Sequence, residues 1–137
     1  MEVTYLLHAT EDPDRVRAAV SEAFAVESAP EEEPLEGHYG NKIVRVVFHV
    51  TGDEADRAFH RMIEGLGPAL RRELLEGLGG HVDEHQALFV RFDKQALVSG
   101  SLSFGAGDSV RVKVKPRGRG LRGGARTFYA DALARGA

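Results

Sequence analysis

Seven residues near the C-terminal end constrain the fold most. In Ser109-Val110-Arg111-Val112-Lys113-Val114-Lys115, valines alternate with basic residues. Successive side chains of a β-strand point to opposite faces. The period of two therefore predicts a strand with Val110, Val112 and Val114 inward and Arg111, Lys113 and Lys115 outward. Pro116 ends the ladder, because it has no N–H to donate. Gly105-Ala106-Gly107-Asp108 just before it is hairpin chemistry, since glycine permits positive φ. It predicts a turn from a partner strand over 101–104.

The same logic runs through the rest of the chain. Val3 to Ala9 is a β-rich run and predicts the first strand. Asp12 followed by Pro13 is a helix start, a side-chain acceptor followed by a residue with φ already set. Val16, Ala19, Val20 and Phe24 then recur at helical spacing. Residues 29–34, with Pro30, Pro34 and three glutamates, read as a charged loop. The run over 42–50 predicts a strand with apolar residues on both faces, so an interior one. Asp53 is the expected cap of a helix carrying Ala55, Phe59, Met62 and Ile63. Gly65-Leu66-Gly67-Pro68 breaks that helix and opens another, with Leu70, Leu74, Leu75 and Leu78 at core spacing. Leu88, Val90 and Phe92 share one face of a strand over 87–92, and 127–135 reads as a short terminal helix. The sum is an α+β fold, a mainly antiparallel sheet with helices packed on it. Residues 1–115 form one domain, followed by a basic Gly/Arg segment and the short helix over 116–137.

Composition narrows the function classes. A chain of 137 residues without cysteine has no disulfide, thiol nucleophile or zinc ribbon. With 42% hydrophobic and 28% charged residues it is globular rather than disordered. No apolar run approaches the roughly 20 residues of a membrane span, and Met1-Glu2-Val3-Thr4 is unlike a signal peptide, so the expected location is the cytoplasm. The net charge of −3 hides an asymmetry. Residues 1–50 carry 10 acids and 4 bases, and residues 101–137 carry 2 acids and 8 bases. Such a one-signed stretch attracts phosphates or an acidic protein, or is simply a solvated tail.

The catalytic motifs are weak. His81-Val82-Asp83-Glu84-His85 matches H-x-x-E-H, but Gly79-Gly80 precedes it and a strand follows, so a turn replaces the helix that zinc chemistry requires. No metal is expected. Gly118-Arg119-Gly120-Leu121-Arg122-Gly123 matches G-x-G-x-x-G with too little chain after it for a dinucleotide fold. It reads instead as an Arg-Gly segment able to follow a phosphate backbone, or as a linker. No nucleophile motif is present, and no cofactor is implied.

Two polar clusters remain. Gly37-His38-Tyr39-Gly40-Asn41 offers an aromatic pair for stacking on bases and an amide for base edges, or else a tight connection. Arg91-Phe92-Asp93-Lys94-Gln95-Ala96 gathers polar groups at a strand end, or else is an Asp93 cap beside a solvated lysine. These segments and His8-Ala9-Thr10-Glu11-Asp12, in this order and spacing and with the basic strand, resemble the hallmarks of a small archaeal family of RNA-binding proteins described as exosome subunits. The likeness covers about residues 3–115. It implies RNA binding, an archaeal source and the fold of the ribosomal protein that binds 5S RNA. It supplies no catalytic residues. Where the family continues with an Ala-Tyr-Pro-like segment, this chain has Pro116-Arg117-Gly118-Arg119-Gly120.

The expected function is non-catalytic RNA binding of low sequence specificity, as an accessory factor in RNA processing or degradation, with exosome- or ribosome-related proteins as further partners. Arg111, Lys113 and Lys115 would contact phosphates from a rigid strand, and Arg117, Arg119 and Arg122 would extend them. His38, Tyr39, Asn41, Arg91, Lys94 and Gln95 would complete the site. The alternatives are an enzyme for a phosphorylated or acidic substrate, centred on Asp93, Lys94 and His38, and an assembly adaptor using the acidic N-terminal half. A deep pocket around those three residues would favour the enzyme, and a shallow basic face would favour RNA.

Overall fold

A computed structural model of the chain describes residues 1–37, 40–115 and 124–136. The element order is β1 (Glu2–His8), α1 (Pro13–Phe24), β2 (Glu31–Glu36), β3 (Lys42–His49), α2 (Gly52–Glu76), a 3-10 turn (Leu78–Gly80), β4 (Leu88–Asp93), α3 (Lys94–Val98), β5 (Ser109–Val114) and α4 (Gly124–Arg135). The five strands form one sheet in the order β2-β3-β1-β5-β4, and every neighbouring pair is antiparallel. This is the expected α+β class.

Alternation decides which face is buried. Val3, Tyr5 and Leu7 of β1, Val46 and Phe48 of β3, Leu88, Val90 and Phe92 of β4, and Val110, Val112 and Val114 of β5 are all buried. The register sets Val3 opposite both Phe48 and Val112, and Val112 opposite Val90, so these residues form one continuous face. The helices pack on it through Val16, Val20 and Phe24 of α1, Phe59, Met62 and Ile63 of α2, and Tyr129 and Leu133 of α4. Leu6, Arg45, Phe89, Arg91 and Arg111 lie on the other face and are exposed. Among the described residues no helix covers that face, an arrangement antiparallel sheets allow.

Several expected boundaries hold for their stated reasons. Asp12 caps α1, its side chain accepting from the N–H groups of Asp14 and Arg15 at 3.1 and 3.4 Å. Gly67, at φ 73° and ψ 168°, breaks α2 ahead of Pro68. His81 to His85 form turns rather than a helix.

Three expectations are corrected. The charged stretch around Pro34 is not a loop but the edge strand β2, all six residues of which are exposed. A proline is tolerated there because one set of an edge strand's backbone groups faces solvent. Thr51, not Asp53, stands at the start of α2, and its side chain makes no capping bond. Residues 101–104 make no strand and no hairpin with β5. Only an isolated bridge joins Phe104 to Phe92, while the Asp93 N–H donates to the Ser103 carbonyl at 2.8 Å and the Gly105 N–H to that of Arg91 at 3.1 Å. This segment covers the outer edge of β4, and β5 pairs instead with β1 and β4.

Candidate nucleic-acid interface

The open face owes its chemistry to the parity of β4 and β5. With Leu88, Val90 and Phe92 directed inward, Phe89 and Arg91 must point outward, as Arg111 and Lys113 do on β5. The register places Phe89 opposite Lys113 and Arg91 opposite Arg111. On the next strand Glu2 stands opposite Lys113 and Thr4 opposite Arg111. These side chains, with Arg45 from β3, line a groove of about 320 Å³. The Lys113 ammonium lies 5.3 Å from the centre of the Phe89 ring.

Like charges directly opposite one another weaken a strand pair. Neither Arg91 nor Arg111 has an acidic partner among the described residues. The two guanidiniums line one shallow groove, and their planar forks are suited to phosphate oxygens.

Across the sheet the sign reverses. Glu31 and Glu33 of β2 stand opposite Val47 and Arg45. Arg45 pairs with Glu33 at 3.7 Å, and His49 sits between Glu2 and Glu31 at 3.3 and 3.4 Å. The basic half of the face therefore lies on β4 and β5 and the acidic half on β2.

Lys94 departs from expectation. It is fully buried, and its ammonium donates to the Leu6 carbonyl, Glu11 Oε1 and Asp108 Oδ2, each at 2.7 Å. An ammonium has three N–H donors, so none is left for a ligand. Glu11 Oε1 also accepts from the His8 N–H at 2.9 Å, and His8 Nε2 lies 3.6 Å from Asp108. His8, Glu11 and Asp108 could together hold a cation, but the lysine ammonium already takes that place. Lys94 is thus a structural residue rather than a surface phosphate contact. Its neighbour Asp93 caps α3, accepting from the Ala96 N–H at 2.8 Å.

The other expected site residues are dispersed. Gln95 is exposed on α3, and Lys115 is exposed just beyond β5. Asn41 is exposed in the turn between β2 and β3, where its carbonyl accepts from the Gly37 N–H at 2.8 Å. Arg111 is level with Val47, because both stand opposite Thr4. Asn41 is six residues away from Val47, roughly 20 Å along the strand, and β1 lies between. It does not join the arginine pair. His38, Tyr39, Arg117, Arg119 and Arg122 lie outside the described residues. Phe89, Thr4 and Arg45 were not singled out by the sequence reading. The alternation of β4 alone would have placed Phe89 beside Arg91.

The larger cavity, about 650 Å³, lies on the helical side, between α1, α2 and the segment after α3. Arg61, Glu22 and Glu64 line it, and neither Asp93 nor Lys94 does. No helix is long and apolar enough to cross a membrane among the described residues.

Residues 1–116 match the model of a family described as RNA binding. The RNA-binding protein PAB1135 of Pyrococcus abyssi is 32% identical over 124 residues, spanning 84% of this chain and 80% of that protein. An uncharacterized protein of Methanocaldococcus jannaschii, MJ0213, is 30% identical over 118 residues, spanning 80% of this chain and 78% of its own length. The crystal structure of protein AF2318 from Archaeoglobus fulgidus, assigned to the DUF54 family, is similar at a TM-score of 0.77, with 30% identity and 96% of each chain covered. Since the family match spans every strand of the sheet, two relatives share at least 30% of the sequence over most of the chain, and AF2318 shares the fold, this chain belongs to that RNA-binding family.

Proposed function

We propose that the chain is a non-catalytic RNA-binding module and that the open β4–β5 face is where RNA lies. The observation that carries this reading is Arg91 directly opposite Arg111 on the open sheet face, neither with an acidic ion-pair partner among the described residues. A backbone phosphate between the two guanidiniums turns an unfavourable pair into a bidentate clamp. Lys113 and Lys115 continue the basic row, and Arg117, Arg119 and Arg122 extend it. Asn41 and Gln95 are peripheral contacts for a longer strand, and His38 and Tyr39 are further contacts suggested by their chemistry alone. Phosphate contacts carry little sequence information, so the module binds RNA with low specificity. Such a module suits an accessory role in RNA processing or degradation in the cytoplasm, alongside exosome- or ribosome-related proteins, as its family resemblance implies.

The test is Arg91→Gln/Arg111→Gln. Both side chains are exposed, so the variant keeps its core. Its affinity for unrelated single-stranded RNAs should fall together. The slope of log affinity against log salt should flatten by about 0.7 for each lost contact. A folded variant with unchanged affinity and slope would remove the face from consideration.

A further inference from the structure

We infer that Phe89 is a stacking platform for an unpaired base, which makes single-stranded RNA, rather than duplex, the ligand of this face. The inference rests on the RNA-binding reading of the β4–β5 face and adds a ligand class to it. Phe89 is 41% exposed on the outward side of β4. Phe89 lines the groove from the edge strand β4, and among the described residues it is not part of the hydrophobic core. Arg91 is two residues along the same strand, roughly 7 Å away, and Lys113 is directly across. One aromatic ring with cations on two sides matches the alternation of base and phosphate along an extended strand.

The Lys113 ammonium now lies over the ring. An exposed cation–π contact is weaker than the stacking of a base on an aromatic side chain. The base wins that comparison, and the flexible lysine is released to a phosphate. A duplex offers no such exchange, because its base faces are already stacked on one another and only phosphates and groove edges reach the sheet.

The experiment compares parent, Phe89→Leu, Phe89→Tyr and the arginine-pair variant. The ligands are a single-stranded RNA of about ten nucleotides containing 2-aminopurine and a duplex of the same sequence. Melting curves establish that each variant is folded. Phe89→Leu should weaken single-strand binding about 5- to 150-fold, the loss of one stacked base, with the salt slope unchanged. It should abolish the fluorescence quench of 2-aminopurine and leave duplex affinity unaltered. Phe89→Tyr should retain the quench and most of the affinity. Unchanged single-strand affinity in Phe89→Leu, or equal losses on single strand and duplex, would overturn the stacking inference. If the arginine-pair variant still loses affinity in that case, the phosphate face stands without it. An arginine-pair variant that binds like the parent would sink both.

Discussion

Lys94 shows how one residue can be misread when its partners are remote in sequence. Glu11 lies 83 residues before it, and Leu6 lies 88 before it. No local spacing announces that the three meet. The site around Lys94 was therefore illegible, although its neighbour Asp93 was legible as a cap from its position ahead of a short helix. The buried ammonium joins β1, the loop before α1 and the loop before β5, which makes it a fold determinant. Removing it leaves two carboxylates facing each other without a cation. Breaking a buried ion pair in this way costs about 3–5 kcal/mol. The lower end applies here, because the Asp108 side chain is 43% exposed and water can reach it. Lys94→Met should therefore lower the unfolding free energy by roughly 3 kcal/mol in a denaturant titration. A loss below about 0.5 kcal/mol, the range of ordinary surface substitutions, would show that the ammonium holds nothing together.

At the scale of elements, legibility followed burial. Strands β4 and β5 were readable because one face is apolar and the other is not. Strand β2 was missed because every one of its residues is exposed, so no period appears. The terminal helix was readable only as a helix, and its role comes from packing. Ala125, Tyr129, Ala132 and Leu133 recur on one face and are buried in the common core. The Tyr129 hydroxyl lies 2.9 Å from the Gln86 carbonyl and 3.2 Å from that of Val114, tying α4 to the end of β5 and to the turn before β4. The Gln86 side chain accepts in turn from the Ala125 N–H at 3.1 Å, satisfying a donor in the first turn of α4. Burial pushes the Tyr129 phenol up to about 12, and it does the same to Tyr5. The sign follows from which state holds the proton. Above the ordinary value of 10 the unfolded chain loses these protons while the folded chain keeps them. Stability therefore falls as pH rises from 10 toward 12. Tyr129→Phe should lose about 1 kcal/mol at neutral pH with its hydrogen bond. It should also lose roughly half of the alkaline slope, since Tyr5 remains. Denaturant midpoints followed from pH 8 into that alkaline range would decide the matter. An undiminished slope in the variant would exclude Tyr129 as a source.

At the scale of the whole molecule, the charge asymmetry of the sequence becomes a direction in space. The acids of the first fifty residues and the bases of the last forty were plain in the chain, but only the strand order decides where they fall. Because β2 and β4 are opposite edges, the outward glutamates Glu31 and Glu33 and the basic side chains of β4 and β5 occupy the two halves of one open face. A polyanion is drawn to one half and repelled from the other. Glu31, outward on β2 and level with Arg111, stands three strands from β5, roughly 14 Å at the usual spacing. At that distance the repulsion between a carboxylate and a phosphate in water is about 0.3 kcal/mol. The Debye length is about 30 Å at 0.01 M salt and about 8 Å at 0.15 M, so the repulsion survives in the first condition and is nearly lost in the second. Glu31→Gln, with Glu33 kept so that Arg45 retains its partner, should tighten RNA binding up to about 1.7-fold at 0.01 M salt. The gain should all but vanish at 0.15 M. A gain of equal size at both salt concentrations would mean that Glu31 touches the RNA or its path directly, and that the bound strand crosses the whole sheet rather than keeping to β4 and β5.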